Sequence, residues 1–382
     1  MLMSKEITPF PLAVPQADLD DLQARLARTR FPDPETVDDT SQGPQLARLR
    51  ALVERWRGGY DWRLCENLLN GLGSYRTEID GLAIHFLHVR SPERDALPLL
   101  MTHGWPGSVL EFRHVTGPLT DPVAHGGKAE DAFHLVMPTL PGFGFSDQPT
   151  GTGWNVERIA DAWIELMRRL GYARWAAQGG DWGSYVTSTI GHRMPAGLAG
   201  IHLNMAMFEP TEEERANATP HEQKLLADGQ RYDECYSGYN KVQSTRPQAV
   251  GFGLADSPAG LAAWIHSFVQ DAAQDAAALD LDELIDDIMM YWLPNAGASA
   301  ARLYWEVHKA MKDNSAPPPV QPAPAGISAF PGELGNLSWR WAEKRFAKLV
   351  HFNELERGGH FAAWEAPDLF VDELRTTFRS LR

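Results

Sequence analysis

Leu19, Leu22 and Leu26 recur at helical spacing with charged residues between them, which predicts a short amphipathic helix over Asp18–Arg30. Leu46, Leu49, Leu52, Val53 and Trp56 repeat the pattern, so Gln45–Trp56 is read as a second. Between them Phe31–Gly43, rich in Pro, Asp and Ser, reads as a surface meander. Tyr75–Ile79 and Leu82–Val89 then flank Asp80-Gly81, a pair that tolerates positive φ, and this predicts a β-hairpin. From Pro98 short apolar runs alternate with helical stretches. The expected strands are Pro98–Thr102, Phe133–Pro138, Trp175–Gln178 and Gly200–Met205. The expected helices are Val156–Leu170, with Ile159, Trp163, Met167 and Leu170 on one face, and a stretch ending near Arg193. Such alternation implies a mostly parallel α/β sheet with helices on both faces, because parallel neighbours need crossovers.

The rhythm then stops. Phe208–Ser315 reads as mainly helical, without a good strand run, and closes in the Pro-rich linker Ala316–Gly326. Strand signals return at Ile327–Phe330 and Lys348–Glu354, and Pro367–Leu381 reads as the last helix. A helical block placed between two strands of one sheet is the pattern of a lid over an active site. Four parts are therefore expected: 1–95, a meander with the first hairpin; 96–206, the first part of the core; 207–325, the lid; and 326–382, the second part of the core.

Composition narrows the class. At 382 residues the chain exceeds the usual single domain, which fits a large core with an added unit. Fifty acidic against 35 basic residues leave a formal charge of −15, against a nucleic-acid surface, which needs clustered positive charge. Two cysteines, Cys65 and Cys235, exclude a disulfide framework and multi-cysteine metal sites. No apolar run is long enough to span a bilayer, and Met1–Pro11 has no apolar segment of a secretory signal. A cytoplasmic protein without a membrane anchor is expected.

The chemistry concentrates in short motifs. Gly179-Gly180-Asp181-Trp182-Gly183-Ser184 places one reactive side chain among small residues between a strand and a helix, as in a nucleophile elbow. The usual Ser is replaced by Asp181. A carboxylate attacks an sp³ carbon and leaves an ester on the enzyme, whereas serine suits an acyl carbon, so an ester hydrolase is disfavoured. Read blandly, Asp181 is the N-cap of a Gly-rich strand–helix turn. His103-Gly104-Trp105-Pro106-Gly107-Ser108 follows the first core strand, where the second oxyanion donor of an α/β-hydrolase belongs. The backbone N–H groups of Trp105 and Trp182 are then the oxyanion-hole candidates. His103 reads as a hydrogen-bonded brace, and the Trp105 indole as core.

In that architecture the acid and then the histidine follow the nucleophile along the chain. Gly358-Gly359-His360 comes directly after the final strand, which makes His360 the candidate base, whereas His351 lies inside that strand. Glu333, in Phe330-Pro331-Gly332-Glu333, follows the preceding strand and would hold the imidazole's tautomer. Asp147, Glu354 and Glu356 are less well placed.

With these residues in place the chain resembles the microsomal-type epoxide hydrolases of the α/β-hydrolase superfamily. The resemblance rests on the meander from Trp56 through Trp62-Arg63 and Leu68–Asn70 to the hairpin, HGWPGS at 103–108, PGFGFS at 141–146, GGDWGS at 179–184 and GGHFAAWEAP at 358–367. It implies an α/β-hydrolase fold and a two-step hydrolysis of a small epoxide by water, needing no cofactor, with the acid in the F-P-x-E segment at Glu333. It also nominates two lid tyrosines to hydrogen-bond the oxygen of the opening ring. Tyr232, Tyr236, Tyr239, Tyr291 and Tyr304 lie in the expected lid. Ser237-Gly238-Tyr239-Asn240 and Arg302-Leu303-Tyr304-Trp305 resemble the family's two sites, so Tyr239 and Tyr304 are chosen, with Tyr236 and Tyr291 the nearest confusions. Two departures are the missing N-terminal anchor of membrane-bound members and NGLGSY at 70–75, where relatives often carry proline. A haloalkane-dehalogenase-like hydrolase with the same nucleophile is the rival reading, and an inactive relative serving as a receptor or scaffold is another. A homodimer through the lid or meander is left open by the sequence.

Overall fold

The apolar runs assemble into one twisted layer. The computed structural model describes residues 6–206, 208–313 and 319–382; residues 1–5, and residues 314–318 at the end of the expected helical block and the start of the Pro-rich linker, lie outside the described residues. The strands are β1 (Thr8–Pro9), β2 (Ser74–Ile79), β3 (Leu82–Val89), β4 (Leu97–Thr102), β5 (Phe133–Pro138), β6 (Trp175–Gly179), β7 (Leu198–Leu203), β8 (Gln321–Ala329) and β9 (Phe346–Glu354). They lie in the order β1-β2-β3-β5-β4-β6-β7-β8-β9. The β1–β2–β3–β5 edge is antiparallel, and every pair from β5 to β9 is parallel. β4, between two parallel neighbours, is buried at every residue, as its apolar run requires.

The helices before the elbow are α1 (Gln16–Leu26), α2 (Leu46–Arg57), α3 (Trp62–Gly71), α4 (Arg113–Thr120) and α5 (Val156–Arg169). The elbow opens α6 (Asp181–Arg193). Between β7 and β8 stand α7 (Glu212–Ala216), α8 (Pro220–Cys235), α9 (Gly238–Thr245), α10 (Pro247–Asp256), α11 (Pro258–Ala272), α12 (Leu281–Trp292) and α13 (Gly297–Asp313). α14 (Trp339–Arg345), α15 (Ala362–Glu365) and α16 (Pro367–Arg379) complete the chain. α5 shows the logic of the scaffold. Asn155 accepts from the Arg158 N–H at its start, and Ile159, Trp163, Leu166 and Met167 are wholly buried on one face. Each such side chain stabilises the fold by about 1.5–3 kcal/mol.

Ion pairs and hydrogen bonds seat the inserted helices. Glu222, at the start of α8, accepts from Arg340 at 2.6 Å and from Ser338 at 2.7 Å. Arg55 of α2 pairs with Asp282 of α12 at 2.5 Å, and Arg113 and Tyr60 both reach Asp286 at 2.7 and 2.6 Å. Arg55 and Tyr60 of the N-terminal part thus tie it to the insertion. Among the described residues no helix is long and apolar enough to cross a membrane.

Three local readings change. The strand expected to begin at Ile327 begins at Gln321, inside the Pro-rich segment. Ala323 and Ala325 are wholly buried while Pro322 faces outward, a period-2 pattern masked by the prolines; the register against β9 shifts between Gln321 and Pro324. The first helix stops at Leu26, short of Arg30. Residues 62–71, read only as part of the meander, form α3, which Asp61 caps by accepting from the Arg63 N–H; Gly73, at φ +83°, then turns the chain into β2.

Candidate active site

β6 ends in Gly179, and Asp181 is the first residue of α6, with φ +47°. Gly180 rather than Asp181 occupies the N-cap, so the carboxylate is free of the capping role. A positive φ at a non-glycine residue is strained and persists only where the surroundings impose it. Here close packing does so. A Cβ on Gly183 would lie 1.9 Å from the Thr102 carbonyl oxygen, and one on Gly179 2.0 Å from the Gly183 carbonyl oxygen.

The two oxygens of Asp181 have different neighbours. Oδ1 accepts the Trp105 N–H at 2.7 Å, and the nearby Trp182 N–H also favours the charged carboxylate. Gly104 makes this approach feasible, since a Cβ there would stand 2.1 Å from Oδ1. Oδ2 faces Nε2 of His360 at 3.6 Å. Burial raises the Asp181 pKa, opposed by the His360 charge and the two amides.

His360 is 6% exposed, and its Nδ1–H donates to Glu333 Oε1 at 2.7 Å. The loops carrying this pair are joined by a bridge between Gly332 and Gly359, with the Gly332 N–H donating to the Gly358 carbonyl at 3.0 Å. The His360 N–H bonds the carbonyl of Ala272 at the end of α11, so the insertion also fixes this loop. Burial alone would lower the imidazole pKa. The Glu333 charge and hydrogen bond, with the Asp181 charge, outweigh it and raise the pKa to about 9.

Above the elbow stand the aromatic rings of the insertion. Tyr239, on α9, stacks on Trp105 with ring centroids 5.0 Å apart, and Tyr304, on α13, meets Trp182 edge-on at 4.6 Å. The Tyr304 hydroxyl is buried without a hydrogen-bond partner among the described residues. Burial, with the nearby Asp181 charge, drives both phenols well above their ordinary pKa. Tyr291 donates to the Gly107 carbonyl at 2.7 Å, and Tyr236 accepts from Arg231, so both hydroxyls are engaged elsewhere.

Two family models match: "Epoxide hydrolase N terminus" over residues 7–112 and "alpha/beta hydrolase fold" over residues 98–239. The chain is 54% identical to a Stigmatella aurantiaca protein assigned to the epoxide hydrolases, over 98% of this chain and 86% of that protein. Epoxide hydrolase 1 of Sus scrofa is 32% identical over 97% of this chain and 88% of its own length. The chain belongs to the epoxide hydrolase family. The solved Aspergillus niger epoxide hydrolase superposes with a TM-score of 0.88 at 28% identity, covering 100% of this chain and 98% of that one.

The remaining candidates of this epoxide hydrolase sit in other networks. His103 donates from Nδ1 to the Gly104 carbonyl at 2.9 Å and accepts the Leu140 N–H at Nε2; burial lowers its pKa to about 4, so it is a neutral brace of the loop that carries Trp105. His351 bonds Glu373 at 2.7 Å, Asp147 bonds Arg76 and the Ala83 N–H, and Glu354 pairs with His221 at 3.2 Å.

One residue at the site escapes the sequence reading. Glu111 lines a small cavity of about 10 Å³, space for the centre of a single water, together with Gly107, Asp181, Asn204 and His360. A Cβ on Gly107 would lie 2.2 Å from its Oε2, so the glycine makes room for the carboxyl. Burial, with the neighbouring Asp287 charge, raises the Glu111 pKa well above the carboxylate range, against the opposing pull of His360. In sequence, Ser108 and Glu111 look like a capping box, which hides the polar group's position beside His360.

Proposed function

We propose that Asp181, His360 and Glu333, with Tyr239 and Tyr304, hydrolyse an epoxide to a vicinal diol in two steps. Oδ2 of Asp181 attacks one ring carbon while the two phenols hydrogen-bond the ring oxygen, which leaves as an alkoxide and takes a phenolic proton. The product of this step is a hydroxyalkyl ester of Asp181. A water beside Glu111 then gives a proton to Nε2 of His360 and attacks the ester carbonyl carbon; the intermediate collapses, and the diol departs with the original Oδ2, which takes the proton of the new carboxyl group and so restores the Asp181 carboxylate.

The observation that carries this reading is the unequal holding of the Asp181 oxygens. Oδ1 holds the Trp105 N–H, on the side where the charge of a tetrahedral intermediate would develop, and Oδ2 points to the base side. The electrostatics support a sequence of steps. Asp181's charge helps raise the His360 pKa, and alkylation removes that charge. The His360 pKa therefore falls once the ester exists, so more of the imidazole is neutral and free to accept a proton. Every group named comes from one chain.

Trp105, Trp182, Phe268 and the two tyrosines surround the carboxylate with rings, which suits an apolar, aryl-bearing epoxide. A dehalogenase needs N–H donors to a halide and no pair of phenols. Purified protein offered styrene oxide and a haloalkane in separate reactions should form diol from the first and release no halide from the second. Halide release without diol formation overturns the reading.

A further inference from the structure

Tyr232, near the end of α8, takes no part in the chemistry above, yet its hydroxyl lies 2.6 Å from that of Tyr239. The two phenols share one hydrogen bond, so the orientation of the Tyr239 proton depends on Tyr232. Tyr304 has no such companion among the described residues. Tyr232 also lines two large cavities. One, of about 720 Å³, runs past Asp39 and Ser41 of the meander to Tyr239 and Phe268; the other, of about 660 Å³, reaches Glu333. Both are bordered by the exposed Arg231.

We propose that Tyr232 is a positioning residue that aims the Tyr239 hydroxyl and returns a proton to it from water in these cavities. This rests on the reading that Tyr239 donates to the opening ring. When the alkoxide takes the Tyr239 proton, a phenolate forms in a buried, ring-lined place, an unfavourable position. Tyr232 relieves it: its O–H bond breaks as the Tyr239 O–H bond re-forms, and a cavity water resupplies Tyr232. The hydroxide left in the cavity is neutralised by the proton that His360 takes from the hydrolytic water and passes to solvent. One water is consumed overall, as the reaction requires.

The test is a double-mutant cycle on the ring-opening phase, followed in single turnovers with styrene oxide. Tyr232→Phe should slow ester formation roughly 5- to 30-fold, the usual consequence of losing one such hydrogen bond, and leave ester hydrolysis unchanged. In a Tyr239→Phe background the same change should have almost no further effect, because the group it serves is gone. An equal loss in both backgrounds means Tyr232 acts by packing, and no loss in the parent means it does not act; either result overturns the proposal. If Tyr239→Phe itself leaves ring opening intact, the reading of Tyr239 fails, a result distinct from failure at Tyr232 alone.

Discussion

Nε2 of His360 stands 3.6 Å from Oδ2 of Asp181, beyond hydrogen-bond range and within reach of charge attraction. A serine nucleophile needs its base hydrogen-bonded to it, because the hydroxyl must lose a proton. A carboxylate is already ionised, so contact with the base would only occupy the lone pair that attacks. In the proposed mechanism the gap leaves Oδ2 free for the first step and leaves room at Nε2 for water in the second.

Removing the base should therefore divide the two steps. His360→Gln is expected to form the Asp181 ester at near the parent rate and to release diol about 10²–10⁴ times more slowly. The intact-protein mass after mixing with substrate reports the accumulated ester. Parent-level steady-state turnover in this variant rules out His360 as the base.

The pH dependence follows from which charges surround the imidazole. Glu333 and Asp181 hold the His360 pKa up at about 9 in the free enzyme, so the ring is cationic at neutral pH. Ester formation cancels the Asp181 charge, and the pKa must fall. Hydrolysis of the ester should thus rise with pH along a limb centred below 9, and Glu333→Gln, which removes the other anion, should move that limb further toward acid while slowing the step. Rapid-quench measurement of ester decay from pH 5 to 10 checks this. A limb that stays in place in Glu333→Gln contradicts the coupling.

Glu111 makes a sharper distinction between charge and shape. Burial and Asp287 favour its neutral form, so Glu111→Gln, which keeps an uncharged polar group there, should retain diol release within about threefold. Glu111→Leu removes the polar contact to the water and should slow ester hydrolysis about 10- to 100-fold, leaving ring opening intact. Measuring the two phases separately decides it. A large loss in Glu111→Gln shows that the carboxylate charge is required.

Much of this was legible because special backbone geometry demands small residues. The glycines around Asp181 and His360 marked those loops, and strand order placed Glu333 before the histidine. The α/β core was legible from apolar runs too short for helices. Other features depended on three-dimensional placement. Pro322 and Pro324 obscured the first half of β8, although alanines alternate with them as a strand requires. Glu111 goes unmarked in the sequence because the chain alone does not reveal that Gly107 leaves space for its carboxyl beside His360. The pairing of Tyr232 with Tyr239 depends on the break between α8 and α9, which turns two residues seven positions apart toward each other.

The covalent step is tested most directly by one turnover in ¹⁸O-enriched water, followed by digestion and weighing of the peptide that carries Asp181. Attack of water on the ester carbon should leave ¹⁸O in the Asp181 carboxylate, and the diol from that turnover should carry none, since its two oxygens are the epoxide's own and the one that Asp181 gave up. A diol labelled in the first turnover with an unlabelled Asp181 peptide would show that water opens the ring directly, contradicting the ester and the roles assigned to the groups around it.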